Sequence, residues 1–260
     1  APRLEALGFT VLRVDPPRAR AEGDAGFVPL DEALARADLV SLHVPLVSEG
    51  PDATPHLINK ARLAQIRPGV WLVNAARGRV VDSRALLGAI TDGHVGAALL
   101  DVFEGEPVPD PALVARCTLA TPHIAGHSFD GKVNGTRMLH DALLRWLGED
   151  GAFEASGALE LAPEDHRTLV PGPAPDSPQA ETSWLDALVR PLYPIREDDA
   201  RMRACLHGSE AERGACFTRL RARYPRRRRW DLYALNPADV PAALHRAVFE
   251  GLGLRAATMP

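Results

Sequence analysis

Four short apolar runs, Leu39–His43, Val70–Val73, Gly96–Leu100 and Cys117–Ala120, alternate with segments of helical periodicity. This rhythm constrains the fold more than any other feature of the chain. Parallel strands need a long crossover between them, usually a helix, so the alternation predicts an α/β fold with a doubly wound parallel sheet. Helices are expected over 31–37, 57–66 and 83–92, and Phe9–Val14 is a further strand candidate. In open α/β sheets ligands bind beyond the carboxyl ends of the strands. Function is therefore to be sought in the residues just after each apolar run.

After the second run comes Asn74-Ala75-Ala76-Arg77-Gly78-Arg79-Val80-Val81-Asp82. A guanidinium at a strand end can hold a carboxylate in two parallel hydrogen bonds; the alternative is that Arg77 caps the turn or pairs with a surface acid. After the third run comes Asp101-Val102-Phe103-Glu104-Gly105-Glu106-Pro107, whose three acids either face a site or are solvated surface. After the fourth comes Thr121-Pro122-His123-Ile124-Ala125-Gly126-His127. Arg77, Glu106 and His123 thus fall at one sheet edge. A substrate with a carboxylate beside a hydroxyl-bearing carbon needs a cation, a group that exchanges the hydroxyl proton near neutral pH, and an acid that orients that group. These three residues supply them, and Asp101 is placed to hold a nicotinamide carboxamide. His43, also at a strand end, reads as packed.

Asp15 closes the Phe9–Val14 run. In a dinucleotide-binding unit such an acid holds the adenosine ribose, about 20 residues beyond a glycine-rich turn. Counting back from Asp15 runs off the start of the chain, so the absence of that turn is what a chain beginning just after it shows. Asp15 favours NAD over NADP, with Arg18 and Arg20 weakening the preference; a plain turn-forming role is the alternative. Ala1–Gly8 reads as the end of a helix closed by Gly8.

A formal net charge of -4 argues against a wholesale nucleic-acid binder. The arginines at 219, 221, 223 and 226–229 read as a solvated or interface face rather than a phosphate-binding patch. Three cysteines, Cys117, Cys205 and Cys216, occur in odd number and without metal-type spacing. Neither a disulfide framework nor a metal site is expected, and a reducing compartment is. No apolar run approaches the ~20 residues of a membrane span, so a cytoplasmic protein with no membrane partner is expected. Residues 130–147 predict one long helix with Val133, Met138, Leu139, Ala142, Leu143 and Trp146 largely on one face. Residues 151–180 read as a Gly/Pro-rich connector. Helices are expected over 182–193, 210–223 and 239–251, and a strand over 226–233.

The stretches N-A-A-R-G-R-V-V-D, L-D-V-F-E-G-E-P and T-P-H-I-A-G resemble the signatures of the D-2-hydroxyacid dehydrogenases. Val14–Arg18, the Leu46–Pro51 loop, Leu192–Asp199 and Phe217–Trp230 are similar to the branch that acts on a small phosphorylated 2-hydroxy acid and dimerises through a C-terminal domain. The resemblance implies Arg77 as substrate-carboxylate binder, Glu106 as histidine partner and His123 as proton donor or acceptor. It implies NAD contacts at Asp15, Val44, Ala75, Ala76, Arg77, Asp101 and Gly126, and a substrate contact at 127, where His127 stands in place of the usual tyrosine.

The expected division is a partial, Rossmann-like NAD-binding domain over 1–126, a long helix over 127–150 leading toward an absent substrate domain, and a connector with an α+β homodimerisation domain over 151–260. On this reading the 260 residues alone are inactive and bind NAD poorly. The rivals are another D-2-hydroxyacid dehydrogenase, of glycerate or phosphoglycerate type, and a non-catalytic NAD-sensing protein on the same fold.

Overall fold

All four apolar runs become parallel strands in the computed structural model, which describes residues 1–149, 151, 169 and 171–257. In chain order the helices are α1 (Pro2–Ala6), α2 (Pro16–Glu22), α3 (Leu30–Arg36), α4 (Lys60–Gln65), α5 (Ser83–Thr91), α6 (Pro111–Arg116), α7 (Phe129–Leu147), α8 (Pro178–Val189), α9 (Ile195–Ala204) and α10 (Glu210–Ala222). The strands are β1 (Leu39–Leu42), β2 (Val70–Asn74), β3 (Val95–Leu100), β4 (Leu119–Ala120), β5 (Ala234–Leu235) and β6 (Arg255–Ala256). The chain divides into two compact units. One comprises Leu12–Ala125 with Ile195–Tyr224, the other Ala1–Val11, Gly126–Pro194 and Pro225–Pro260. The two units interleave along the sequence: residues 1–11 and 126–194 group with 225–260, and residues 195–224 with 12–125.

In the first unit the sheet order is β1-β2-β3-β4, all parallel. Leu42 pairs with Asn74, Asn74 with Leu100 and Leu100 with Ala120. The loops after the four strands consequently leave the sheet from one line. Leu72, Leu86, Val80 and Val114 are fully buried in the core beneath it. Helix starts are set locally: Asn59, Asp82 and Asp110 accept the backbone N–H groups of Arg62, Ala85 and Ala112, satisfying donors that the first turn leaves open. A Cβ on Gly96 would meet the Gly69 carbonyl oxygen at 2.6 Å, beside the register irregularity at Val70/Trp71, so only glycine allows this approach.

The charged stretch 195–204, which carries no helical signal in the sequence, forms α9. Its Met202 and the Phe217 of α10 enter the same core as the sheet. Asp199 accepts the Ala120 N–H at 2.8 Å, and Arg203 donates to the Cys117 carbonyl at 2.7 Å. Two expectations fail in this unit. Phe9–Val14 is not a strand: no neighbouring strand among the described residues offers it a ladder, and the Arg13 carbonyl accepts the Val28 N–H at 2.9 Å. Cys205 and Cys216 form a disulfide with Cα atoms 5.5 Å apart. The turn between α9 and α10 brings them together, and a spacing of 11 residues carries no sequence signature of pairing. Cys117 stays free and buried, its thiol pushed up to about 12 by that burial against the opposing pull of Arg203.

The second unit has its own core of Trp184, Leu188, Tyr233, Leu235, Leu244 and Val248, with β5 and β6 paired in parallel. Gly8, at φ +90°, ends α1 as expected: Gly8 N–H bonds the Glu5 carbonyl and Phe9 N–H the Leu4 carbonyl. The expected strand over 226–233 is instead an irregular segment ending in a 3-10 turn at Trp230–Leu232. Its composition is explained by tertiary partners. Arg228 is buried on Asp130, Arg226 lies 4.2 Å from the Phe129 ring centre and Arg227 4.7 Å from that of Tyr193. The helix expected over 239–251 is a 3-10 turn (Ala242–Leu244) and then a π-helical segment (Arg246–Leu252). α7 exposes Met138, Leu139, Leu143 and Trp146, the last 81% accessible. The connector expected over 151–180 lies outside the described residues at 152–168 and 170.

Candidate active site

The loop after β2 is built by Asn74. Its buried amide accepts the Ala76 N–H and donates to the Arg77 carbonyl, both at 3.0 Å. Gly78 then passes the loop after β3 so closely that a Cβ there would lie 2.0 Å from the Phe103 carbonyl oxygen. Only glycine permits this contact, and it sets the Arg77 turn directly against the loop that carries Glu104 and Glu106. The Arg77 guanidinium donates through Nη1 to the Ala76 carbonyl at 2.7 Å, and the residue is exposed at the sheet edge.

The loop after β3 organises the loop after β4. Buried Asp101 accepts the Thr121 hydroxyl at 2.6 Å and the Ile124 and Ala125 N–H groups at 2.8 Å each. The Asp101 carboxylate is therefore already engaged by three donors. Glu106 accepts the Phe103 N–H through Oε1 at 2.8 Å and meets His123 Nδ1 through Oε2 at 2.7 Å. A carboxylate only accepts, so Nδ1 carries the proton and the lone pair of Nε2 is left for other chemistry. His123 has φ +56°, a left-handed conformation unusual for a residue with a Cβ. Its N–H donates to the Asp101 carbonyl at 2.7 Å.

A second pair in the same loops escapes sequence reasoning. Glu104 Oε1 meets His56 Nε2 at 2.7 Å and Oε2 accepts the Ser83 N–H at 3.0 Å. Burial alone would raise the Glu104 carboxyl, but the hydrogen bonds from His56 and Ser83 outweigh it and hold the group below the usual carboxylate range. His56 lies 48 residues from Glu104, and nothing in its neighbourhood marks it. The other expected residues lie apart from this pair along the chain. Asp15 N-caps α2 by accepting the Arg18 N–H at 3.1 Å, Val44 packs half-buried on the core, Ala75 is exposed and Ala76 buried. His43, expected to be packed, is instead exposed at the end of β1, where its Nε2 bonds the Ser41 hydroxyl at 2.9 Å. Gly126 and His127 open the second unit.

A parallel sheet whose carboxyl edge presents a carboxylate-bound imidazole beside an arginine turn fits a nucleotide-dependent dehydrogenase of hydroxy acids. Residues 1–125 match the family described as D-isomer specific 2-hydroxyacid dehydrogenase, NAD binding domain. Residues 176–249 match a domain of unknown function (DUF3410). Over 259 residues, 98% of this chain, the sequence is 47% identical to erythronate-4-phosphate dehydrogenase of Salinibacter ruber. It is 45% identical over 251 residues, 96% of the chain, to the enzyme of the same name from Pseudomonas aeruginosa. The chain spans 65% and 64% of the lengths of these two relatives. Among solved structures, D-lactate dehydrogenase from Aquifex aeolicus, complexed with NAD and lactic acid, is 31% identical with a TM-score of 0.39, covering 46% of this chain and 41% of that one. The chain is thus similar to the erythronate-4-phosphate dehydrogenases over nearly all of its own length, and its first 125 residues match an NAD-binding domain model.

Proposed function

We propose that the protein containing this chain oxidises 4-phospho-D-erythronate to 2-oxo-3-hydroxy-4-phosphobutanoate, a step of pyridoxal 5'-phosphate biosynthesis. The observation that carries this reading is the 2.7 Å pairing of His123 Nδ1 with Glu106 at the strand-end edge that also bears Arg77. With Nδ1 committed to Glu106, Nε2 of His123 takes the proton of the C2 hydroxyl. Arg77 holds the adjacent carboxylate, and its fork fixes the substrate's orientation. NAD, when bound, supplies the acceptor for the hydride that leaves C2. The residues at the strand ends fit such a nucleotide chemically: Val44, Ala75 and Ala76 offer small apolar surface, and Asp15 an acidic group for a ribose. Asp101 acts here chiefly through the loop it holds, with a contact to the carboxamide as its second role. Roles for Gly126 toward the cofactor and His127 toward the substrate are part of the same proposal and rest on the resemblance of their motif alone.

The test is turnover by the full-length gene product. His123→Asn is expected to lower kcat by about 10²–10⁴-fold, the usual worth of a positioned proton acceptor. Arg77→Ala is expected to lower kcat/KM by several kcal/mol, since it strips a charged anchor from its partner. An Arg77→Ala enzyme with unchanged kcat/KM removes Arg77 from the site, and wild-type protein that transfers no hydride from any phosphorylated 2-hydroxy acid overturns the reading. Dimerisation through the C-terminal part, and a cytoplasmic setting, belong to the same proposal. Among the described residues no helix is long and apolar enough to cross a membrane.

A further inference from the structure

We infer that α10, in the segment matched to a domain of unknown function, clamps the His123–Glu106 pair, and that Arg221 is a positioning residue for the catalytic imidazole. The inference rests on the proton-transfer role proposed for His123. Arg221 lies 98 residues beyond His123, and its Nε donates to the His123 backbone carbonyl at 3.3 Å. On its amino side the His123 N–H bonds the Asp101 carbonyl at 2.7 Å and the Thr121 carbonyl at 3.0 Å, and on its carboxyl side the Ile124 N–H bonds Asp101 at 2.8 Å, so Arg221 adds the hold on the carbonyl oxygen itself. A left-handed residue with a Cβ persists only where its surroundings over-determine it. The hold on the carbonyl therefore completes the frame from which the imidazole is aimed.

The same helix also packs against the loop that carries the other member of the pair. A Cβ on Gly214 of α10 would lie 3.0 Å from Val108 Cγ2 and 3.7 Å from Pro107 Cγ, in the two residues just after Glu106. α10 is itself fixed, with Phe217 fully buried in the sheet core and Cys216 bonded to Cys205 of α9. One rigid element therefore abuts the acid's loop at one point and the histidine's loop at another. The distance between the two partners depends on both contacts.

Arg221→Met keeps the length of the side chain and removes the donor; Arg221→Lys restores a cationic donor. In the full-length gene product Arg221→Met is expected to lower kcat about 10–100-fold, with KM for the phosphorylated hydroxy acid changed less than about threefold, as loss of a charged hydrogen bond felt in the transition state implies. Arg221→Lys should recover most of the loss. In the 260-residue chain, the downfield proton resonance of His123 Nδ1–H should broaden or move in Arg221→Met and return in Arg221→Lys. A merely structural role would lower thermal stability without that signature. Wild-type kcat together with an unmoved Nδ1–H resonance in Arg221→Met overturns the inference. Absence of turnover in the unmutated protein overturns the underlying reading instead.

Discussion

Asp130→Ala tests whether the arginine run after α10 is structural. Asp130, in the first turn of α7, is 4% exposed at its side chain and Arg228 1%. Arg228 Nε lies 3.1 Å from both carboxylate oxygens, Nη2 lies 3.0 Å from one of them, and the Arg229 N–H donates to Asp130 at 2.8 Å. Removing one partner of a buried pair takes from the other charge its bidentate counter-charge, which costs about 3–5 kcal/mol. With a urea dependence of about 2 kcal/mol per molar, the midpoint should fall by about 1.5–2.5 M. Three of the four tryptophans, Trp146, Trp184 and Trp230, lie in the same unit, so fluorescence tracks its unfolding. Asp130→Leu combined with Arg228→Met should regain most of the loss, because an apolar pair of similar volume needs no counter-charge. A midpoint within about 0.5 M of wild type for Asp130→Ala would reduce the pair to the worth of a surface salt bridge, about 1 kcal/mol or less, and refute the reasoning.

Gly78→Ala places a methyl 2.0 Å from a backbone oxygen that cannot rotate away. It should cost about 1–3 kcal/mol or more and displace the Arg77 turn, and a thermal melt with an unshifted midpoint would contradict this. The lowered Glu104 carboxyl gives a pH signature. A depressed folded-state value stabilises the fold above the usual carboxylate range and stops doing so as the pH falls through it. Wild type should therefore exceed Glu104→Gln in stability near neutrality, and the gap should close below about pH 4. A gap that widens on acidification would reverse the sign.

The sheet was legible because strands buried on both faces of a parallel sheet are near-continuous apolar runs; β1–β4 fall within a residue or two of Leu39–His43, Val70–Val73, Gly96–Leu100 and Cys117–Ala120. Arg77, Glu106 and His123 were legible because each comes just after such a run. Their geometry was not, since it depends on Gly78 meeting Phe103 and on Asp101 gathering the next loop. Phe9–Val14 has a strand's composition but no ladder, and composition cannot supply a neighbour. α9 is hidden for the opposite reason. Asp198, Asp199 and Arg203 look like a solvated stretch, yet they bond Tyr224, the Ala120 N–H and the Cys117 carbonyl.

These charged contacts explain why the composition break after Gly148 is a poor guide to the domains. A Gly/Pro-rich stretch signals a linker only if the chain on its far side folds apart from the chain on its near side. Here Ile195–Tyr224 joins the sheet unit, and it does so through side chains that a hydropathy pattern scores as surface. Met202 and Phe217 are the only members of that segment buried in the main core. Two apolar anchors per thirty residues are too few to announce a docking helix pair. The orientation instead comes from directional bonds: Asp199 to β4, Arg203 to the end of α6 and Arg221 to the histidine loop. Hydrogen bonds of this kind contribute little net stability each but fix geometry tightly. A segment held mainly by them can be nearly invisible in sequence and still set where the imidazole of His123 points.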